Sequence, residues 1–211
     1  YECFNDDAKT VSKVLGLTLT GRGENENRVP MAGIPHHALT TYLPKLIKAG
    51  FKIAIADQME EPKPGQIVKR DVVKVVTAGT IVDENYLNDS ENNYIGSIYV
   101  SKNRGLYTWG LAYADISTAE FKLAEFYTKS TGIPRELVIE LFRIRAAELI
   151  LPQSLKREIS DLLPGITLFS YDDNSYYARE LQQLLLEGLQ LKSFKAFGVE
   201  KYDTGLIAAG K

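Results

Sequence analysis

The stretch YIGSIYVSKNRGLYTWGLAYADISTAEFKLAEFY, residues 94–127, falls into three runs rich in aromatic and β-branched residues: 94–103, 106–117 and 120–127. The first two are separated by the turn-forming NRG (103–105) and the last two by TA (118–119). Strand-like runs joined this closely pair antiparallel, because no room exists for a crossover. The spacing therefore predicts a three-stranded meander. Downstream the pattern changes. IPRELVIELFRIR (133–145) reads as a helix with Pro134 near its start, where proline is tolerated. AELILP (147–152) reads as a buried strand, QSLKREISDLL (153–163) as a short helix, ITLFSY (166–171) as a strand and NSYYARELQQLLLEGL (174–189) as a longer amphipathic helix. A meander followed by alternating helices and strands is an α/β layout with part of its sheet parallel. It is the layout of ribonuclease-H-like folds.

Upstream, AGTIVDENYLNDSENN (78–93) is polar, acidic and turn-prone, and a domain boundary is expected inside it. Residues 1–78 then form a separate domain of helices and strands. A helix is predicted over 6–15, with Asn5 as N-cap and Asp6 and Asp7 in the first turn. LGLTLT (15–20) reads as a short strand. A second helix fits His37 to about Lys48, with Pro44 implying a kink or altered first turn and Gly50 at its end. FKIAIADQ (51–58) and IVKRDVVKVVT (67–77) read as strands. RVPMAGIPHHAL (28–39) carries Pro30, Gly33 and Pro35, which predict a compact loop outside helix and sheet. On composition Met31 tucks back into the core, the alternative being a methionine held out against an apolar surface such as a minor-groove floor.

The 211 residues, 45% hydrophobic and 25% charged, suit a globular protein of two domains. No run of about 18 apolar residues could span a membrane, and no secretory signal is visible. Cys3 is the only cysteine, which excludes an intrachain disulfide or a multi-thiolate zinc site and makes a reduced, cytoplasmic setting the expectation. The net charge of −2 is unevenly spread. Residues 1–78 hold 11 Lys and Arg against 9 Asp and Glu; the remainder holds 14 against 18. Arg22, Arg28, Lys69, Arg70 and Lys74 gather in the first part, a local cluster of the kind that phosphate contact requires.

Motifs for chemistry are scarce. There is no G-x-x-x-x-G-K-[ST] and no G-x-G-x-x-G. Adjacent His36 and His37 would point about 100° apart on a helix, ill placed to share a metal, so one is read as a helix cap and the other as loop surface. Nothing near Cys3 in sequence would activate its thiol. Asp115, Glu136, Asp172 and Asp173 are the carboxylates that a metal-dependent nuclease of ribonuclease-H-like fold would use. Their scatter over strand end, helix and loop favours solvated charge instead. A protein-interaction module without a DNA role is the remaining alternative.

Taken together, YECFNDDA (1–8), LTLTGRG (17–23), PMAGIPHHA (30–38), AIADQ (54–58) and VKVVTAGT (73–80) resemble the N-terminal region of the MutS family of DNA mismatch-repair proteins. GLAYADISTAEF (110–121), RAAELILP (145–152) and FGVE with GLIAAG (197–200, 205–210) extend the resemblance over essentially the whole chain. It implies a mixed-sheet α/β mismatch-binding domain at about 1–78, a linker at 79–89, a ribonuclease-H-like α/β connector domain without nuclease activity at 90–199, and at 200–211 the start of a helical core. The family carries Phe-X-Glu just before the residues matched by CFNDDA. Tyr1 is then X, Glu2 the glutamate, and the phenylalanine stands one residue ahead of Tyr1, in a longer protein. By this resemblance the phenylalanine wedges into the minor groove at a mispaired base, Glu2 hydrogen-bonds the base, and Met31 makes a second groove contact. Arg22 and Arg70, with Lys69 as a further candidate, meet the DNA backbone. Gly21 departs from the basic residue common there, and Ala78 from the proline common before GT. The resemblance further implies no cofactor for this chain, with ATP and Mg²⁺ bound in an ATPase domain outside it. Its partners would be mismatched double-stranded DNA, MutL through the connector domain, and a second copy in a full-length homodimer. The setting would be the bacterial cytoplasm, at the nucleoid.

Overall fold

A computed structural model describes residues 1–23, 28–61, 68–81, 92–173 and 178–211, the side chains of 178, 179 and 196 excepted. The chain divides into two compact units, Tyr1–Ala78 and Gly79–Lys211.

Unit 2 is built on a five-stranded sheet. Strands β6 (Tyr94–Asn103), β7 (Leu106–Asp115) and β8 (Glu120–Thr128) form the expected antiparallel meander. Its first turn works because Arg104 and Gly105 both take the left-handed conformation, φ 48° and 83°, as a tight turn between twisted strands demands. Helix α3 (Arg135–Ile144) leads to β9 (Glu148–Pro152), which lies parallel to β6. Helix α4 (Lys156–Leu162) leads to β10 (Thr167–Tyr171), parallel to β9. Across the sheet the order is β10-β9-β6-β7-β8. Numbered within the unit this is 5-4-1-2-3 with the first three strands antiparallel, the ribonuclease-H-like arrangement.

Alternation along β7 explains its near-continuous apolar run. Trp109, Leu111 and Tyr113 join the core that includes Leu137 and Leu141 of α3, while Ala112 joins a second core with Ile207 and Ala208. Both faces are covered, so neither needs polar residues. The second face is closed by α5 (Ala178–Gly188) and α6 (Asp203–Ala209). Thus residues 200–211, expected to open a further helical core, pack as part of unit 2. Helix α6 lies so close to β7 that a Cβ at Gly110 would sit 2.3 Å from the Thr204 carbonyl oxygen. Glu125 of β8 fixes the start of α6 by accepting the Thr204 and Gly205 N–H groups at 2.7 and 3.0 Å.

Unit 1 holds a three-stranded antiparallel sheet, β1 (Glu2–Phe4), β2 (Thr20–Arg22) and β3 (Val29–Gly33), in the order β1-β3-β2. Its second sheet is the antiparallel pair β4 (Ile53–Gln58) and β5 (Arg70–Val76), with a register shift between Ile55 and Ala56. Helix α1 (Asn5–Leu15) follows β1 directly, and α2 (Leu39–Lys48) is entered through a 3-10 turn at His36–Ala38.

Three expectations for this unit need correction. The segment 28–39 is not a loop throughout, because Val29–Gly33 is the central strand. Pairing with β1 stops at Met31, one residue short of Pro30. Proline therefore has a strand on one side only, a position it tolerates. Asn5 is not an N-cap. It is the first helical residue, at φ 56°, and Phe4 precedes it in extended conformation without a side-chain cap; asparagine bears that left-handed geometry better than most residues. Finally, of LGLTLT only Thr20 is in a strand. Gly16 ends α1 in the left-handed conformation, and Ser12 holds Leu17 through both its carbonyl and its hydroxyl.

Candidate nucleic-acid interface

Strand pairing decides which side chains of unit 1 share a face. Glu2 is opposite Gly33, Phe4 opposite Met31, Thr20 opposite Met31 and Arg22 opposite Val29. Directly opposed residues and their second neighbours along a strand lie on one side of a sheet. Glu2, Met31 and Arg22 therefore share a face, together with Phe4, Val29 and Thr20. The face is largely open: Glu2, Thr20, Arg22, Val29 and Gly33 are exposed, and Phe4 and Met31 half-buried. The opposite face carries Cys3 and the buried Ala32.

Several contacts hold this arrangement. The Thr20 hydroxyl donates to the Met31 carbonyl at 2.9 Å, tying β2 to the middle of β3. A Cβ at Gly33 would meet the Tyr1 carbonyl oxygen at 2.9 Å and the Glu2 Cγ at 3.4 Å, so only glycine lets β1 lie so close. Arg22 Nη1 donates to Glu2 Oε2 at 3.3 Å. The Tyr1 ring stacks on His36, with centroids 5.1 Å apart. Burial and a hydrogen bond to Asp57 push the Tyr1 phenol up, which links β1 to β4. His36 thus has a packing role and caps no helix through its side chain.

Arg70, at the start of β5 opposite Gln58, lines the same groove as Glu2 and Arg22, a space of about 1210 Å³. Met31 and Lys69 do not line it. Lys69 immediately precedes β5, where its carbonyl accepts the Met59 N–H at 2.9 Å and its N–H donates to Glu60 at 2.8 Å. Of the five residues singled out in the sequence, Glu2, Met31 and Arg22 thus share a sheet face, Arg70 lines a groove with Glu2 and Arg22, and Lys69 lies outside that groove. Phe4, Val29 and Thr20 were missed. For Val29 the signal was the period-two alternation of 29, 31 and 33, which Pro30 and Gly33 disguise; Phe4 and Thr20, on strands of three residues, had none. The space above Gly21 is filled by Arg28, whose Nε would lie 2.4 Å from a Cβ there. A basic side chain therefore covers Gly21.

Other candidate chemistry dissolves on inspection of geometry. Burial pushes the Cys3 thiol up, and its Sγ donates to the Ala32 carbonyl at 3.2 Å; a nucleophile needs the opposite shift. Asp115 is buried at the end of β7 and accepts the Asn93 N–H (2.9 Å), the Ser117 N–H (2.8 Å) and the Ser117 hydroxyl (2.6 Å). Burial acts to raise its carboxyl, but these bonds outweigh it and hold the group below the usual carboxylate range. Its oxygens close a turn. Asp115 lies opposite Tyr94 and one residue off the level of Glu148 and Thr167, where β9 and β10 begin. Asp172 and Asp173 follow the far end of β10, roughly 15 Å away at about 3.3 Å per residue, and Glu136 is on the exposed side of α3. Among the described residues no three His, Cys, Asp or Glu side chains are grouped to hold a metal ion, and no helix is long and apolar enough to cross a membrane.

The model for MutS domain I matches residues 1–85 and that for MutS domain II residues 93–211. The chain belongs to the MutS family. It is 38% identical over 214 residues to the DNA mismatch repair protein MutS of Bacteroides fragilis, a match covering all of this chain and 24% of that protein. With the MutS of Thermosynechococcus vestitus it shares 40% over 228 residues, again all of this chain and 25% of the relative. With that of Methanosarcina barkeri it shares 38% over 224 residues, covering 99% of this chain and 24% of the relative. The chain spans about a quarter of the length of these relatives and matches their N-terminal domains I and II.

Proposed function

We propose that unit 1 reads mispaired or unpaired bases in duplex DNA from the minor groove. The observation that carries this reading is the placing of Glu2, Met31 and Arg22 on one open face of the β1-β3-β2 sheet. The minor groove offers little base-specific code, so the property read is deformability. A mispaired step stacks poorly, and kinking it costs less than the few kcal/mol typical of intact duplex. Met31 supplies an apolar contact to the groove floor. Glu2 accepts or shares a hydrogen bond with the displaced base; as a carboxylate among phosphates it adds discrimination more than affinity. Arg22 and Arg70, with Lys69 next to Arg70 in sequence as a further candidate, hold the backbone and position the duplex without reading sequence.

Unit 2 acts in this proposal as a connector, relaying state between domains and offering part of a MutL-binding surface. In this reading it carries no chemistry of its own: among the described residues the carboxylates that a nuclease would use do not converge. In a protein of the relatives' length, ATP and Mg²⁺ would be handled by another domain, and dimerisation would bring a second copy onto the same DNA.

Fluorescence anisotropy at low salt, with paired G·T-mismatch and homoduplex oligonucleotides, tests the reading. The chain is compared with a version extended by one phenylalanine ahead of Tyr1. The extended chain should prefer the mismatch and lose that preference on Phe→Ala and on Met31→Ala. Equal binding of both duplexes by both versions, unmoved by Met31→Ala, would sink it.

A further inference from the structure

The Glu2–Arg22 ion pair has an unusual path. Strands β1 and β2 flank β3, about 10 Å apart at the usual strand spacing. Glu2 is in register with Gly33 and Arg22 with Val29. On that face the β3 residue between Val29 and Gly33 is Met31. The two side chains therefore meet across β3 at the level of Met31, the side chain assigned to the groove floor. Both ends are accessible, 68% for the Arg22 side chain and 50% for Glu2. Among the described residues neither has another hydrogen-bond or ion-pair partner. An exposed pair of this length is weak and opens readily when either end is offered something better.

Resting on the reading of unit 1 given above, we propose that the Glu2–Arg22 bridge is a clasp over Met31 which stays closed on fully paired DNA and opens at a mispaired site. Arg22 is thus a positioning residue for discrimination as well as a phosphate contact. On intact duplex Glu2 finds no base to bond, and a free carboxylate facing phosphates is repelled, so it remains on Arg22. The guanidinium is then half neutralised and grips the backbone poorly. At a mispaired base Glu2 transfers to the base, Met31 is uncovered, and Arg22 turns to a phosphate. Base reading and backbone grip become one event.

The salt dependence of binding reports this directly, because each phosphate neutralised adds about 0.9 to the slope of log K against log salt. Anisotropy titrations over a NaCl series are made with the 211 residues extended by one phenylalanine ahead of Tyr1, on G·T and homoduplex DNA, for this chain without substitution (wild type), Glu2→Gln, Arg22→Gln and the double variant. Wild type should show a slope steeper by about one phosphate on the mismatch. Glu2→Gln should be steep on both duplexes, and Arg22→Gln and the double variant shallow on both. Both side chains are exposed, so unchanged thermal melting should accompany every variant. An unchanged homoduplex slope in Glu2→Gln overturns the clasp, since Arg22 would already be free. The homoduplex arm needs no mismatch preference, so it is decided separately from the reading of mispaired bases. Equal wild-type slopes on the two duplexes, with a steepened Glu2→Gln, overturn the coupling to mispairing.

Discussion

In unit 2 the central sheet lies between helices on both sides, and β7 alternates between two cores: Trp109, Leu111 and Tyr113 in one, Ala112 in the other. In unit 1 the three-stranded sheet buries Ala32 on one side and leaves Glu2, Thr20, Arg22 and Val29 exposed on the other. The same period-two geometry serves two ends. Where both faces are covered, alternation distributes apolar volume and a substitution is felt as stability. Where one face is open, alternation gathers unlike side chains, an acid, a base and a thioether, and a substitution should be felt as recognition with the fold intact.

The largest test of that contrast is Leu149→Ala. Leu149 is fully buried in the larger core of unit 2. Its truncation should cost about 2–5 kcal/mol, read from urea unfolding. Gly110→Ala should follow at about 1–3 kcal/mol, because the added methyl meets the α6 backbone, which cannot rotate away; loss of α6 protection in hydrogen exchange would locate the damage. Asp115→Asn should cost about 1–3 kcal/mol at neutral pH, since donors buried around a carboxylate would face a poorer acceptor. The folded carboxyl titrates below its unfolded value of about 3.9. Its contribution is therefore complete above that pH and is lost as pH falls through the lower folded value. The gap between wild type and Asp115→Asn should hold from pH 7 down to about pH 4 and narrow only below that, and a gap that stays constant through further acidification would contradict the assignment. Smallest of all, Arg22→Gln should move stability by no more than about 0.5 kcal/mol while weakening duplex binding. A large drop in melting temperature would break the distinction between the units.

These contrasts bear on what the sequence could say. The meander of unit 2 was legible because each of its strands carries eight or more residues of its own signal, and because NRG is a turn by its own chemistry. The helix behind Pro134 was legible for similar local reasons. Strands β1 and β2 have three residues each and exist only through pairing with β3, so no local window reveals them. In β3, Pro30 and Gly33 reverse the local signal altogether, although both are explained by neighbours: β1 stops before the proline and approaches closely at the glycine. Arg22 and Glu2 were recognisable as types of residue suited to DNA through family resemblance. Their ion pair across the sheet was not, because a contact between residues 2 and 22 depends on a strand order that composition does not encode. The placing of Arg28 over Gly21 was hidden for the same reason.

Helix α6 has a practical consequence. Its residues Ile207 and Ala208 cover Tyr99, Ala112 and the partly buried Leu123. A recombinant piece ending at residue 199, where the connector domain alone was expected to end, would uncover that apolar surface while leaving the remaining strands in place. Such an exposed sheet face invites self-association. Any shortened version meant for solution work should therefore retain the chain through at least Ala209, and its failure to do so would be visible as aggregation before any question of DNA arose.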